Sequence, residues 1–250
     1  MTPQGSQGSY ALGVSDAEIA RLRRQNDAIG DESRRLFEQL DLRPGARALD
    51  VGCGPLGVLE QLAERVGPAG RVVGLDASEA MVAQARAAAA KSAHRNIEVV
   101  HADARATGLP RASFDLVHER LVLVNLPLPW HAGIVAEMTA LARPGGVVAL
   151  QEIDGASWAC APAHPAWDRL YGALMAVFAR GGCDGCVGRR LPGLLRDAGL
   201  QDIRAEAHTG FHAVDHPWRL LLLHFMGVMR ARILEAAVSG GASTTVLPLT

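Results

Sequence analysis

The stretch Ala48-Leu49-Asp50-Val51-Gly52-Cys53-Gly54-Pro55-Leu56-Gly57 constrains this chain more than any other. An apolar run that ends beside a carboxylate and then turns through glycines reads as a buried strand giving way to a helix. The pattern repeats twice. Arg71-Val72-Val73-Gly74-Leu75 closes on Asp76, and Ile97-Glu98-Val99-Val100-His101 closes on Ala102-Asp103-Ala104. Three successive strands, each closing on an acid and separated by helical segments, call for an open α/β sheet. In such a sheet the ligand lies across the carboxyl ends of the strands.

The rest of the chain extends that layout. Ser15 and Glu18 have capping-box spacing ahead of a helical stripe of Ile19, Leu22, Ile29, Leu36, Phe37 and Leu40, with a break into two helices expected at Gly30. Pro55 to Val66 reads as the first crossover helix, and Ser78 as the cap of the second. Phe114 to His118 reads as strand four and Trp130 to Leu141 as a helix. Arg143-Pro144-Gly145-Gly146 reads as the turn into strand five, Val147 to Glu152. Five strands alternating with helices require right-handed crossovers and a doubly wound, mostly parallel sheet. Beyond Ile153 a helix over Ala166–Ala179, a short one over Leu191–Ala198, a sixth strand over Ile203–His208 and a long apolar helix over His216–Ala237 are expected. Thr244 to Leu249 reads as a weak terminal strand. The expected divisions are a tail (1–14), N-terminal helices (15–43), a core (44–154), a helical insertion (155–186) and the rest of the core (187–250).

Composition limits the partners. The 250 residues are 49% hydrophobic and 20% charged, which suits a globular domain. A net charge of -1 with Lys91 as the single lysine leaves no clustered basic footprint, so nucleic acid is not an expected partner. No run of 18 apolar residues suggests a membrane span, and the N-terminus lacks the basic start and apolar centre of a signal peptide. A cytoplasmic protein with four reduced cysteines is the expectation. Cys183-Asp184-Gly185-Cys186 has zinc spacing, but a structural zinc needs four ligands and no second pair exists, so no metal is expected. A homo-oligomer is left open.

Gly52-x-Gly54-x-x-Gly57, followed by Asp76 nineteen residues on, satisfies the dinucleotide fingerprint. A nicotinamide-dependent oxidoreductase is therefore one reading. Asp50 argues against it. The fingerprint works because backbone amides and a helix N-terminus meet a pyrophosphate, and a carboxylate two residues before the first glycine would repel that anion. The same carboxylate suits a ligand bearing an ammonium and a sulfonium but no phosphate. No Tyr-x-x-x-Lys pair is present, and Asp103 with Ala104 fits an adenine amino group. S-adenosylmethionine is the cofactor these residues favour. A non-catalytic protein that binds it is a third reading.

Leu49-Asp50-Val51-Gly52-Cys53-Gly54 resembles the first motif of class I S-adenosylmethionine-dependent methyltransferases, and the resemblance runs from about Pro44 to Gln151. It departs in one place: the family's third glycine falls at the position of Leu56, whereas here it is Gly57. The resemblance implies a Rossmann-like methyltransferase fold in which Asp50, Gly52, Gly54, Asp76 with Ala77 and Met81, and Asp103 with Ala104 bind the donor, Asp76 at the ribose and Asp103 at the adenine. It also implies that the segment from Gly8 through Gln25 forms lid helices, with Tyr10 and Gln25 touching the donor. The end of strand four would lie at the donor's methionine end and the acceptor, so Glu119, His118 and His131 become candidate catalytic residues, Glu119 doubling as a partner of the donor's ammonium. Of eleven aromatic residues (Trp 4, Tyr 2, Phe 5) only Tyr10, Phe37 and Phe114 precede Trp130. That concentration in the later chain suggests a cap with an apolar pocket, formed by Trp158, Trp167, Tyr171 and Phe225, for a small-molecule acceptor of secondary metabolism.

Overall fold

The computed structural model describes residues 16–213 and 216–239; for Asp16, 217–222 and 236–239 only the backbone is described. Tyr10, the Ser15 cap, the expected tail (1–14) and the Thr244–Leu249 strand lie outside the described residues.

Five strands form one sheet: β1 (Arg47–Val51), β2 (Arg71–Asp76), β3 (Ile97–His101), β4 (Phe114–Arg120) and β5 (Ala142–Gln151). Their order is β3-β2-β1-β4-β5, and every pair is parallel. The chain winds outward from β1 through β2 to β3, then crosses back to place β4 on the other flank of β1. The switch point therefore lies between β1 and β4, where Asp50 stands in register with His118.

Side chains alternate between two apolar layers, as the period of a strand demands. Ala48, Val72 and Leu116 pack with Phe37 of α1 (Asp16–Gln39), with Leu59 and Leu62 of α2 (Leu59–Val66) and with Val82 and Ala85 of α3 (Glu79–Lys91). Leu49, Val73, Leu75 and Val117 face the opposite layer, with Ile134 and Met138 of α4 (His131–Leu141), Leu174 and Phe178 of α5 (Pro165–Arg180) and Met226 of α7 (Pro217–Ser239). A short α6 (Leu191–Asp197) lies between α5 and α7 in the chain. Ser78 caps α3, its hydroxyl accepting the Met81 N–H at 3.4 Å.

Five expectations need correction. α1 is one unbroken helix. Gly30 does not break it but lets α2 approach, for a Cβ there would stand 3.2 Å from the Gln61 amide nitrogen, which instead donates to the Gly30 carbonyl at 3.1 Å. α2 begins at Leu59, not Pro55, because Gly54 and Gly57 hold left-handed conformations (φ 57 and 53) that a right-handed helix cannot include. Arg143 to Gly146 belongs to β5, where the register shifts between Phe114 and Leu116 and Gly145 (φ 75) takes up the irregularity. β4 continues past His118 to Arg120, which draws Glu119 and Arg120 into the sheet. Ile203 to His208 is not a strand; this segment is largely exposed.

Candidate active site

The glycine turn after β1 is braced from within. The Gly52 and Cys53 amides both donate to the Leu75 carbonyl, at 2.7 and 2.9 Å. The Gly54 amide donates to Asp76 Oδ2 at 2.9 Å, and the Ser78 amide to Asp76 Oδ1 at 2.8 Å. Gly52 sits at φ 71, and a Cβ on it would meet Val122 Cγ2 at 2.4 Å. At Gly54 (φ 57) a Cβ would meet nothing within 4 Å, so open space faces the turn.

Asp76 thus uses one acceptor position on each oxygen, which leaves its remaining lone pairs for a ligand. Burial pushes its carboxyl up from the usual range, as does the charge of Asp50; the two backbone donors and His101 pull the other way. Ala77 beside it is exposed, while Met81 is buried under α3. His101 contacts the Ala77 carbonyl at 2.9 Å.

Asp103 lies at the end of β3 and is forked by Arg105, at 2.6 Å to Nη2 and 3.0 Å to Nε, while also accepting the Arg105 amide at 2.8 Å. These bonds hold its carboxyl below the usual carboxylate range. The Arg105 guanidinium in turn lies 4.0 Å from the centre of the Trp130 ring, a cation–π contact. Ala104 between them is half-buried.

Asp50 lies beneath the turn, where its Oδ2 would stand 2.9 Å from a Cβ on Gly57. It is buried, and His118 Nδ1 donates to its Oδ1 at 2.7 Å. The other ring nitrogen of His118 stands 3.1 Å from Gln151 Oε1 of β5. Ser33 Oγ of α1 donates to the same Gln151 oxygen at 2.8 Å and accepts from Arg120 at 2.8 Å; Arg120 also reaches Asn26 at 2.5 Å. Phe37 presents its ring to the His118 imidazole at 5.1 Å, edge to face. One polar chain, Asp50–His118–Gln151–Ser33–Arg120–Asn26, therefore ties α1 across β1, β4 and β5. Burial lowers the Arg120 guanidinium's affinity for its proton, offset by Asp50 and Glu32.

Glu119 is fully buried, its Oε2 accepting the Val122 amide at 3.1 Å. Glu152, just past β5, accepts the Val124 amide at 3.2 Å. Burial raises both carboxyls, Glu119 well above its ordinary value, where the charge of Glu152 adds to the effect, and Glu152 to about 7. Glu119 Oε1 and Glu152 Oε2 are buried without a hydrogen-bond partner. A proton shared between them is what two buried carboxyls in contact require.

The three groups expected beside the acceptor lie inside the protein. His118, Glu119 and His131 are all buried in this conformation, at 0%, 0% and 1% exposure, and none opens to a cleft. His131 begins α4 and donates through Nε2 to the Leu126 carbonyl at 3.0 Å. Their neighbours are protein, because β4 runs further than its sequence implies and α4 folds back over its end.

The structure does not bring the expected pocket aromatics into one cluster. Trp167 and Tyr171 stack on one face of α5 at 6.4 Å, half-buried. Phe225 stacks on Phe178 at 6.5 Å and lies 5.3 Å from the Arg21 guanidinium. Trp158 packs against the apolar layer of α4, α5 and α7. A cavity of about 30 Å³ is lined by Asn125, Phe178, Cys183, Phe225 and Met229, and a wider groove of about 480 Å³ runs between Arg21, Arg24 and His224. Gln25 of α1 accepts from Arg21 at 2.6 Å. Among the described residues no group of three His, Cys, Asp or Glu could hold a metal ion, and no helix is long and apolar enough to cross a membrane.

Sequence reasoning missed Gln151, Ser33, Asn26 and Val122. Each acts through a partner far away in the chain or the fold, and only the polar tail of β5, Gln151-Glu152, hinted that this strand ends among charges.

The fold and site define an open parallel α/β protein with acids at the carboxyl ends of β1 and β2 and just past β3, and a glycine turn whose amides are already bonded. Residues 48–146 match the family described as methyltransferase domain. The chain is 41% identical over 133 residues to nocamycin O-methyltransferase of Saccharothrix syringae, an alignment covering 50% of this chain and 45% of the relative. It is 29% identical over 193 residues to demethylmenaquinone methyltransferase of Listeria welshimeri, covering 70% and 78%. It shares the fold of an Aquifex aeolicus SAM-dependent methyltransferase (TM-score 0.56, 21% identity, covering 76% of this chain and 91% of that one). The chain spans about half the length of the first curated relatives it matches. Open space at Gly54, spare acceptor positions on Asp76 beside it and the half-exposed Asp103 at the neighbouring strand end fit S-adenosylmethionine as a ligand.

Proposed function

We propose that this chain transfers the methyl group of S-adenosylmethionine to a small, largely apolar acceptor of secondary metabolism. The state of the glycine-turn amides carries the reading. A dinucleotide site needs free N–H groups and a helix N-terminus at the turn. Here the Gly52, Cys53 and Gly54 amides already bond Leu75 and Asp76, and α2 starts only at Leu59. That turn favours a nucleoside without phosphate.

The donor supplies an electrophilic methyl carbon on its sulfonium, so the difficult chemistry is its own. Binding, orientation and exclusion of water fall to the chain. In this reading Asp76 holds the ribose hydroxyls. Asp103 and Ala104 flank the adenine, Ala77 and Met81 border the nucleoside, and Gly52 and Gly54 let the backbone come close. Gln25 of α1 is the contact proposed from the N-terminal helix. Asp50, bonded to His118, sets the floor beneath the turn. In-line alignment of nucleophile, methyl and sulfur is worth about 7–11 kcal/mol of barrier in favourable cases. Trp158 and Phe225, which pack in the same apolar layer, are the side chains proposed for the acceptor. Relatives named for nocamycin and demethylmenaquinone support a small-molecule acceptor over nucleic acid.

Calorimetric titration with S-adenosylhomocysteine and with NADH tests the donor: the first is expected to bind and the second not, and NADH binding alone would overturn the reading. Labelled donor incubated with a metabolite extract tests transfer. Binding without any labelled product would make the chain a non-catalytic donor-binding protein.

A further inference from the structure

The loop from Leu121 to Leu126 stands over the glycine turn, and its attachment is unusual. Leu121 takes a left-handed conformation (φ 57), uncommon for a non-glycine residue. The Val122 side chain then fills the space above Gly52 that a Cβ would need. Two amides of this loop are held by side chains from beneath: Val122 by Glu119 Oε2 and Val124 by Glu152 Oε1. The remaining oxygen of each carboxyl is buried without a hydrogen-bond partner, and the charge of Glu152 opposes ionisation of Glu119. If both were ionised they would repel at contact inside the protein, where little solvent screens them. The loop therefore rests on a contact that exists only while the pair keeps a proton.

We infer that Glu119 and Glu152 are positioning residues whose shared proton holds the 121–126 loop, with Val122 against Gly52, in the conformation that receives the methyl donor. This rests on the proposed donor site. Loss of that proton sets two buried negative charges against each other, and as the carboxyls part they carry the loop amides bonded to them and move Val122 off the glycine turn, so donor affinity falls as pH rises. The charged neighbours are few. Asp50 of β1 bears on Glu119 and opposes its ionisation. On the remaining elements His118 is bonded to Asp50, Arg120 points to Ser33 and Asn26 of α1, and Asp154 is paired with Arg189. None of these cations is bonded to the carboxyl pair.

The test is the affinity of the full chain for S-adenosylhomocysteine, measured by calorimetry between about pH 6 and about pH 9, in the wild type, Glu152→Gln and Glu119→Gln. One linked proton gives a fall of at most about tenfold per pH unit. The wild type is expected to weaken across this range. Each glutamine variant supplies an amide hydrogen in place of the shared proton, so each is expected to hold its low-pH affinity throughout. A wild-type profile that stays flat, or variants that fall as steeply as the wild type, would overturn the inference while leaving the donor site standing. Absence of binding in the wild type at every pH would instead overturn the donor reading. Because the two variants alter different strands, misfolding of one leaves the other to decide.

Discussion

Asp76 is the residue on which the proposed donor site turns, because it serves the protein and the ligand at once. Its two oxygens already hold the Gly54 and Ser78 amides. Asp76→Ala removes the ribose acceptor and also leaves those donors unpaired. A hydrogen bond to a charged group contributes about 1.5–3 kcal/mol, so calorimetry should show S-adenosylhomocysteine affinity reduced by roughly ten- to a hundredfold. Unchanged affinity would remove Asp76 from the site. Asp50 should behave differently. It is buried and bonded to His118, and leaving one partner of a buried hydrogen bond unpaired costs about 1–3 kcal/mol. Asp50→Ala is expected to lower the unfolding free energy in denaturant by that amount, whereas a fully stable variant that no longer bound donor would make Asp50 a direct ligand contact.

At the scale of elements, α1 is held to the sheet by polar contacts as well as by Phe37. Ser33 is the joint: it donates to Gln151 and accepts from Arg120. Ser33→Ala leaves the buried Arg120 short of one partner, at a cost of about 1–3 kcal/mol. Hydrogen exchange should show the loss as faster exchange in α1, with the β1–β4 amides protected as before. Uniform acceleration throughout the chain would mean α1 is not a separable element. The sequence placed α3, α4 and all five observed strands, since apolar periodicity and turn residues act locally, but it split α1 at Gly30. It misjudged where β4 stops. Glu119-Arg120 reads as polar and hence as past the strand, yet each side chain finds a partner inside the protein, just past β5 or on α1.

For the whole molecule, the buried carboxyl pair sets the direction of pH dependence. Glu152 is raised from its ordinary value to about 7, and Glu119 well above its own. Between the unfolded value near 4.5 and the folded value the native state binds more protons, so stability is complete at low pH and falls as pH rises through that window. A carboxyl whose pKa rises by one on folding links about 1.4 kcal/mol of stability to its proton. Chemical denaturation from about pH 5 to about pH 8 should show this decline, and Glu152→Gln should flatten it. A wild-type stability that climbed with pH would contradict the buried, proton-sharing arrangement.

By itself the sequence determined the sheet, its glycine turn and the acids near the ends of its strands, because strand period, turn chemistry and the strand-terminal carboxylate are properties of adjacent residues. Only the tertiary structure decided what those acids do. Asp50 meets His118 across 68 positions, and Gly54 meets Asp76 across 22. Glu119 meets Glu152 only because β4 and β5 run side by side in parallel register. Burial and long-range pairing set whether a carboxylate faces a ligand, braces a turn or shares a proton, and neither can be read from spacing along the chain.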